Sequence, residues 1–231
     1  MGLALDTPDI GWARHGATRA SPRPIRAATV QLRQATTLTS EEYVRLEGWR
    51  QARLEICPVH RTTGSCGFRR LGTYERVTPA GMHVARYYCP TAHMTFSLLP
   101  DCLAARMPGD LDTVEQVVAA VEAARSVEAV ADLRPDTALP GAVRWIRRRL
   151  GSVRAVLLAL VTTLPTLVGM CQPTLREIAA HLGTPVLRRV RAEAEKLLAS
   201  LPAPVGFGPR RRSMTHRRTA FEHDMGPDPP S

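Results

Sequence analysis

The stretch 57–102 constrains this chain more than any other. Of five cysteines and seven histidines in the chain, it holds Cys57, Cys66, Cys89 and Cys102 with His60, His83 and His93. It opens on Cys57-Pro58-Val59-His60 and later turns through Cys89-Pro90-Thr91-Ala92-His93. Between them, residues 72–77 and 82–88 read as paired strands, and Thr78-Pro79-Ala80-Gly81 supplies a turn. Proline suits the second position of a type I turn and glycine the fourth. Two Cys/His pairs on tight turns, joined by a hairpin, meet the demand of tetrahedral Zn²⁺ for ligands from two directions. The candidate ligands are Cys57, His60, Cys66, Cys89 and His93. Cys66-Gly67 competes with His60 as partner to Cys57, and the sequence leaves that choice open. Cys102 follows Leu98-Leu99-Pro100-Asp101 and is expected in the core.

These residues carry a resemblance. The Cys57-Pro58 pair is followed by Gly72-Thr73-Tyr74-Glu75-Arg76, then Arg86-Tyr87-Tyr88-Cys89, then Thr95-Phe96-Ser97-Leu98-Leu99-Pro100-Asp101. That order resembles the N-terminal zinc-ribbon region of bacterial insertion-sequence transposases, over about residues 55–150. The resemblance implies a ribbon running into a helix-turn-helix, binding to double-stranded DNA, and a mobile-element setting with a transposase or another protein as possible partner. The second knuckle departs from the pattern: Ala92 stands at the second Cys position and His93 at the Gly position.

The formal net charge is +10, which favours an anionic partner, nucleic acid first. Lys196 is the only lysine, so the charge is almost wholly arginine. The odd cysteine count and the absence of a basic, apolar leader at the start point to reduced thiols and a cytoplasmic, nucleoid-associated location. The uncharged run 155–171 falls short of the ~20 residues a membrane-spanning helix needs, so no membrane association is expected.

The expected fold class is α+β, mostly helical: a ribbon-like β-hairpin module followed by a helix-turn-helix-like bundle, with disordered basic termini. Residues 1–38 mix Pro, Gly, Arg and Thr without period and read as a basic arm. Residues 39–110 hold a lead-in helix, starting at Thr39-Ser40-Glu41-Glu42 and running to about residue 55, and then the ribbon. Phe96 and Leu98 alternate in the exit strand toward one core. Residues 111–200 form the bundle. Leu111, Val114, Val117, Val118 and Val121 make one apolar stripe, Ser126 caps a short second helix, and Val143, Ile146, Leu150, Val153 and Leu157 form the seam of a third. A helical pair follows from Pro173, with Thr184 as a cap and Pro185 at the first helical position. Residues 201–231, with Arg210, Arg211 and Arg212, read as a disordered tail.

The seam leaves Arg144, Arg147, Arg148 and Arg149 facing outward with no acid among them, as candidate DNA contacts. Arg69 and Arg70 join them on the hairpin, where arginines interleave with Tyr74, Tyr87 and Tyr88 in a manner that suits single strands as well as grooves. No catalytic constellation is visible. Asp112, Glu115, Glu122 and Glu128 read as the polar face of amphipathic helices, and the helical second half lacks the alternating strands of a nuclease sheet. The expected protein is therefore non-catalytic, the other reading being a protein-interaction module stabilised by its metal.

Overall fold

The structure, a computed structural model, describes residues 28–124, 126–133 and 139–208. Residues 1–27 of the arm expected over 1–38, and the tail arginines Arg210 to Arg212, lie outside the described residues. Among these residues the protein is α+β, with one four-stranded sheet and seven α-helices.

The first described element is strand β1, Ala28–Gln34, within the stretch expected as an unstructured arm. The seven residues alternate as a strand requires, with Val30 and Leu32 packing on the core around Cys57 and Phe96. Helix α1, Ser40–Arg45, starts as expected: the Thr39 side chain accepts from the Glu42 N–H, and the Glu42 carboxylate accepts from the Thr39 N–H at 2.8 Å. It ends ten residues earlier than expected. Glu47 takes a left-handed φ of 49°, and the chain folds back into a 3-10 turn at Gly48–Arg50. A side chain at Gly48 would stand 2.5 Å from the Tyr43 ring, so this fold-back is closed to other residues.

Strands β2, Arg69–Arg76, and β3, Met82–Cys89, form the expected hairpin. Strand β4, Met94–Pro100, then pairs antiparallel with β3 and parallel with β1. The order is β1-β4-β3-β2, so the hairpin is half of a larger sheet. The register puts Ala85, Tyr87, Cys89, Phe96 and Leu98 on one face, and Met82, Val84 and Leu99 on the other. Phe96 and Leu98 thus share a core, as their alternation required. The second face packs on Tyr43 and Cys102, which confirms Cys102 as a core residue.

The helical half comprises α2 (Leu111–Ala124), α3 (Val127–Asp132), α4 (Leu139–Thr163), α5 (Pro165–Val168), α6 (Leu175–Leu182) and α7 (Val186–Glu193). The α2 stripe and the α4 seam pack in one core, with Ile178, Leu187 and Val190 from the last two helices. Ser126 caps α3, accepting from the Ala129 N–H at 3.2 Å. Thr184 does not cap α7, whose boundary residue is Pro185 with no side-chain cap. None of the described helices is long and apolar enough to cross a membrane.

Residues 201–208, expected in the tail, are part of the fold. Leu201 and Val205 are buried, and the Gly208 N–H donates to the Leu201 carbonyl at 3.0 Å. The turn brings that carbonyl within 2.1 Å of where a Cβ of Gly206 would sit. Glycine there lets the chain turn back, and the Ala105 N–H then donates to the Pro204 carbonyl at 2.8 Å.

Candidate metal centre and basic groove

Three loops meet beside the first sheet face. The Cys57–His60 turn is closed by the Arg61 N–H on the Cys57 carbonyl at 2.8 Å. It is held against the sheet from upstream, where the Tyr87 hydroxyl donates to the Ala52 carbonyl (3.0 Å) and accepts from the Leu54 N–H (3.1 Å). Cys66 comes from the next loop. Gly67, at a φ of 67°, lies so close to Pro90 that a Cβ would stand 2.9 Å from the ring. The Thr91 hydroxyl donates to the Cys66 carbonyl at 3.1 Å and fixes this loop to the turn after Cys89. Phe68 stacks on Tyr87 with ring centroids 5.5 Å apart and closes the apolar side.

The result is a cluster of Cys57, His60, Cys66 and Cys89 whose ligand atoms all lie within 4.8 Å of one another. Among the described residues it is the one grouping of three or more Cys, His, Asp or Glu arranged to hold a metal ion. His60 Nδ1 is 3.4 Å from Cys57 Sγ and 3.5 Å from Cys89 Sγ. Bond lengths of ~2.3 Å to sulfur and ~2.0–2.1 Å to nitrogen in a tetrahedron give sulfur–nitrogen edges of about 3.6 Å. These two separations are close to those a tetrahedral ion requires, and the remaining pairs lie within 4.8 Å. All three sulfurs are buried, and His60 is the member nearest the surface.

His60 and Cys66, which competed in the sequence as partners to Cys57, both belong to the cluster. His93 does not. The Ala92 N–H is the group turned to the Cys89 sulfur, and Ala92 packs on the core beside it. His93 follows one residue later with a left-handed φ of 51° and is exposed. The extra residue in Cys-x3-His carries its ring past the site.

The electrostatics are already divided. Burial pushes the Cys57 thiol up, but hydrogen bonds to its sulfur from the His60 N–H and ring, the Val59 N–H and Cys66 outweigh it, leaving a pKa of about 6. Cys89 is held above the usual thiol range by burial, with Cys57 and Cys66 reinforcing it against the Ala92 N–H. Backbone N–H groups thus favour one thiolate, while its like-charged neighbours oppose a second. Only a cation at the centre stabilises all the thiolates together. Cys102 is different: burial raises it to about 11, so it remains a neutral core thiol.

The arginines proposed as DNA contacts separate into three groups. Arg149 is buried, contrary to expectation. It donates to the Pro108 carbonyl at 3.2 Å and lies 3.3 Å from the centroid of the Trp145 ring, so it fastens α4 to the 106–108 loop rather than meeting solvent. Arg147 is exposed and pairs with Glu128 at 2.7 Å. Arg144 and Arg148 are exposed. With Arg106, Met107, Pro108 and Pro202 they line a groove of about 890 Å³, and no carboxylate stands in its walls among the described residues. On the hairpin, Arg70 donates to the Trp49 and Arg50 carbonyls, whereas exposed Arg69 lies over the Tyr88 ring at 6.0 Å.

Sequence reading missed three residues that hold the helical half together. Glu115 and Glu122 are not merely a polar face. Glu115 accepts from the Val186 and Leu187 N–H groups, both at 2.8 Å, and Glu122 from the Leu175 N–H at 3.0 Å. One face of α2 thus caps α7 and α6 in trans. The signal was there to find: the two acids are seven residues apart, two turns of one helix, and α7 begins at a proline that cannot cap it. The third, Arg191, is fully buried, and nothing in its local sequence marks it.

No protein-family model matches this chain, and no curated protein or solved structure matches it either.

Proposed function

We propose that this chain is a non-catalytic DNA-binding protein, with one structural Zn²⁺ on Cys57, His60, Cys66 and Cys89. Three thiolates and an imidazole form a soft, closed donor set, the usual composition of a structural zinc site with no open position for a substrate. The zinc holds the three loops to the sheet. DNA meets the groove on α4 that Arg144 and Arg148 line.

The observation that carries the DNA reading is that groove. Arg144 and Arg148 are exposed on one helix face, Arg106, which donates to the Phe207 carbonyl, lines the same groove from the loop, and among the described residues no carboxylate lines the walls. Guanidinium groups on a rigid helix present planar donors to phosphates or to the O6 and N7 of guanine. Four acids of α2 and α3 support a non-catalytic role, because they already have structural partners: Asp112 with Arg188, Glu115 and Glu122 as caps, Glu128 with Arg147. The likeness of residues 86–101 to transposase ribbons makes a mobile element the setting we propose.

The test is fluorescence anisotropy on labelled duplex DNA at two salt concentrations. Arg144→Ala with Arg148→Ala should weaken binding and lower the slope of log affinity against log salt by about 0.9 for each phosphate that is no longer neutralised. Wild-type affinity and slope in that variant would refute the groove as the duplex site.

A further inference from the structure

The second sheet face is apolar for only part of its length. Beyond Met82, Val84 and Leu99, two polar rows cross all four strands. In the first row the register sets Gln31 beside Ser97, Ser97 beside Arg86 and Arg86 beside Gly72. In the second it sets Thr29 beside Thr95, Thr95 beside Tyr88 and Tyr88 beside Arg69. Neither row contains an acid. The aromatic rings are paired with cations: the Arg86 guanidinium lies 5.8 Å from the centroid of the Tyr74 ring, and that of Arg69 lies 6.0 Å from Tyr88. Gly72 separates the two pairs, and a Cβ built on it would meet nothing within 4 Å. Thr95 and Ser97 at the middle of the rows are buried, so the parts of this face that meet solvent are exposed Arg69 and the half-buried Tyr74, Arg86 and Tyr88. Gln31 Oε1 on this face is sealed from water and has no hydrogen-bond partner. A buried amide oxygen without a donor is costly and rare in a finished fold.

We propose that this face binds single-stranded nucleic acid, with bases stacked on Tyr74 and Tyr88 and phosphates on Arg69 and Arg86. Stacking on tyrosine requires a base free of its duplex neighbours, and sequence-tolerant single-strand sites combine such rings with cations. The site is independent of the duplex reading of α4 but adjoins it: Arg106, Met107 and Pro108 line both the α4 groove and a smaller hollow that reaches Gln31 and Tyr74.

The test uses the full chain with fluorescein-labelled oligothymidylate, oligouridylate and a duplex, read by anisotropy. Tyr74→Ala with Tyr88→Ala should lose at least about tenfold in single-strand affinity and keep its duplex affinity, while the double Phe variant keeps both. A preference between the two oligomers identifies the source as DNA or RNA. Arg144→Ala with Arg148→Ala tests the duplex groove separately and should leave oligothymidylate binding in place. Ultraviolet cross-linking of wild-type protein to an iodouracil-substituted oligomer needs no variant: cross-linked peptides should map to residues 69–76 and 82–89. Unchanged single-strand affinity in a folded double alanine variant, or cross-links confined to α4, would overturn the proposal.

Discussion

Arg191 directs its guanidinium at five backbone carbonyls: Pro100, Asp101, Leu103, Pro204 and Val205. These belong to the exit of β4 and to the returning segment after α7, so one side chain joins both to a helix. Burial lowers its pKa to about 10, opposed mainly by the charge of Asp101. Asp101 in turn is gripped by Arg33, with the closest approach at 2.8 Å. Removing a buried charged donor strands its acceptors, at a cost on the order of 3–5 kcal/mol. Arg191→Met keeps the volume and removes the donors. It should lower stability by about that amount in urea denaturation, whereas Arg147→Met, which breaks an exposed pair, should cost under ~1 kcal/mol. Equal effects would mean that Arg191 is held by packing alone. Arginine abundance is what hid this residue in the sequence: in a chain where nearly every cation is Arg, a core arginine and a solvent-facing one look alike.

At the level of elements, α2 organises the helical half. Its apolar stripe was legible because Leu111, Val114, Val118 and Val121 follow the helical period, and all four are buried. Its opposite role was not, because a carboxylate that caps another helix is indistinguishable in sequence from one facing water. Helix α7 has no cap of its own side chains, so Glu115 supplies both the hydrogen bonds and the negative charge at its N-terminus. Glu115→Ala should cost about 1–2 kcal/mol, at the upper end of capping effects, and Glu122→Ala less, because Thr174 also caps α6 by accepting from the Glu177 N–H at 3.2 Å. Chemical denaturation of the two variants gives the comparison; a larger destabilisation in Glu122→Ala would contradict this ranking. The sheet shows the same limit. Its hairpin was readable from local alternation and a Pro-Ala-Gly turn. The pairing of β1 with β4 joins residues about sixty positions apart in the chain, and no local signal reports a partner that distant.

Across the whole molecule, a sheet module and a helical bundle meet through the 101–110 loop and residues 201–208, with Arg188 reaching from α7 to the Leu38 carbonyl at 2.7 Å. The loops at the far side of the sheet have little regular structure between Gln51 and Phe68, and they bring the four candidate ligands together. The donor types were legible in the sequence; the choice among five candidates was not. The sequence set His93 with Cys57 and Cys89 and left only His60 or Cys66 open as the fourth ligand, and the backbone path after Cys89 is what takes His93 out of the set. Metal content is the most direct measurement. Protein purified without chelator should carry one zinc per chain by elemental analysis, and acidification should release it as the thiolates take up protons. Cys57→Ser, Cys66→Ser, Cys89→Ser and His60→Ala should each lose most of the metal, while His93→Ala and Cys102→Ser should retain one equivalent. Zinc retained in Cys66→Ser and lost in His93→Ala, or no zinc in the wild-type protein, would contradict the account.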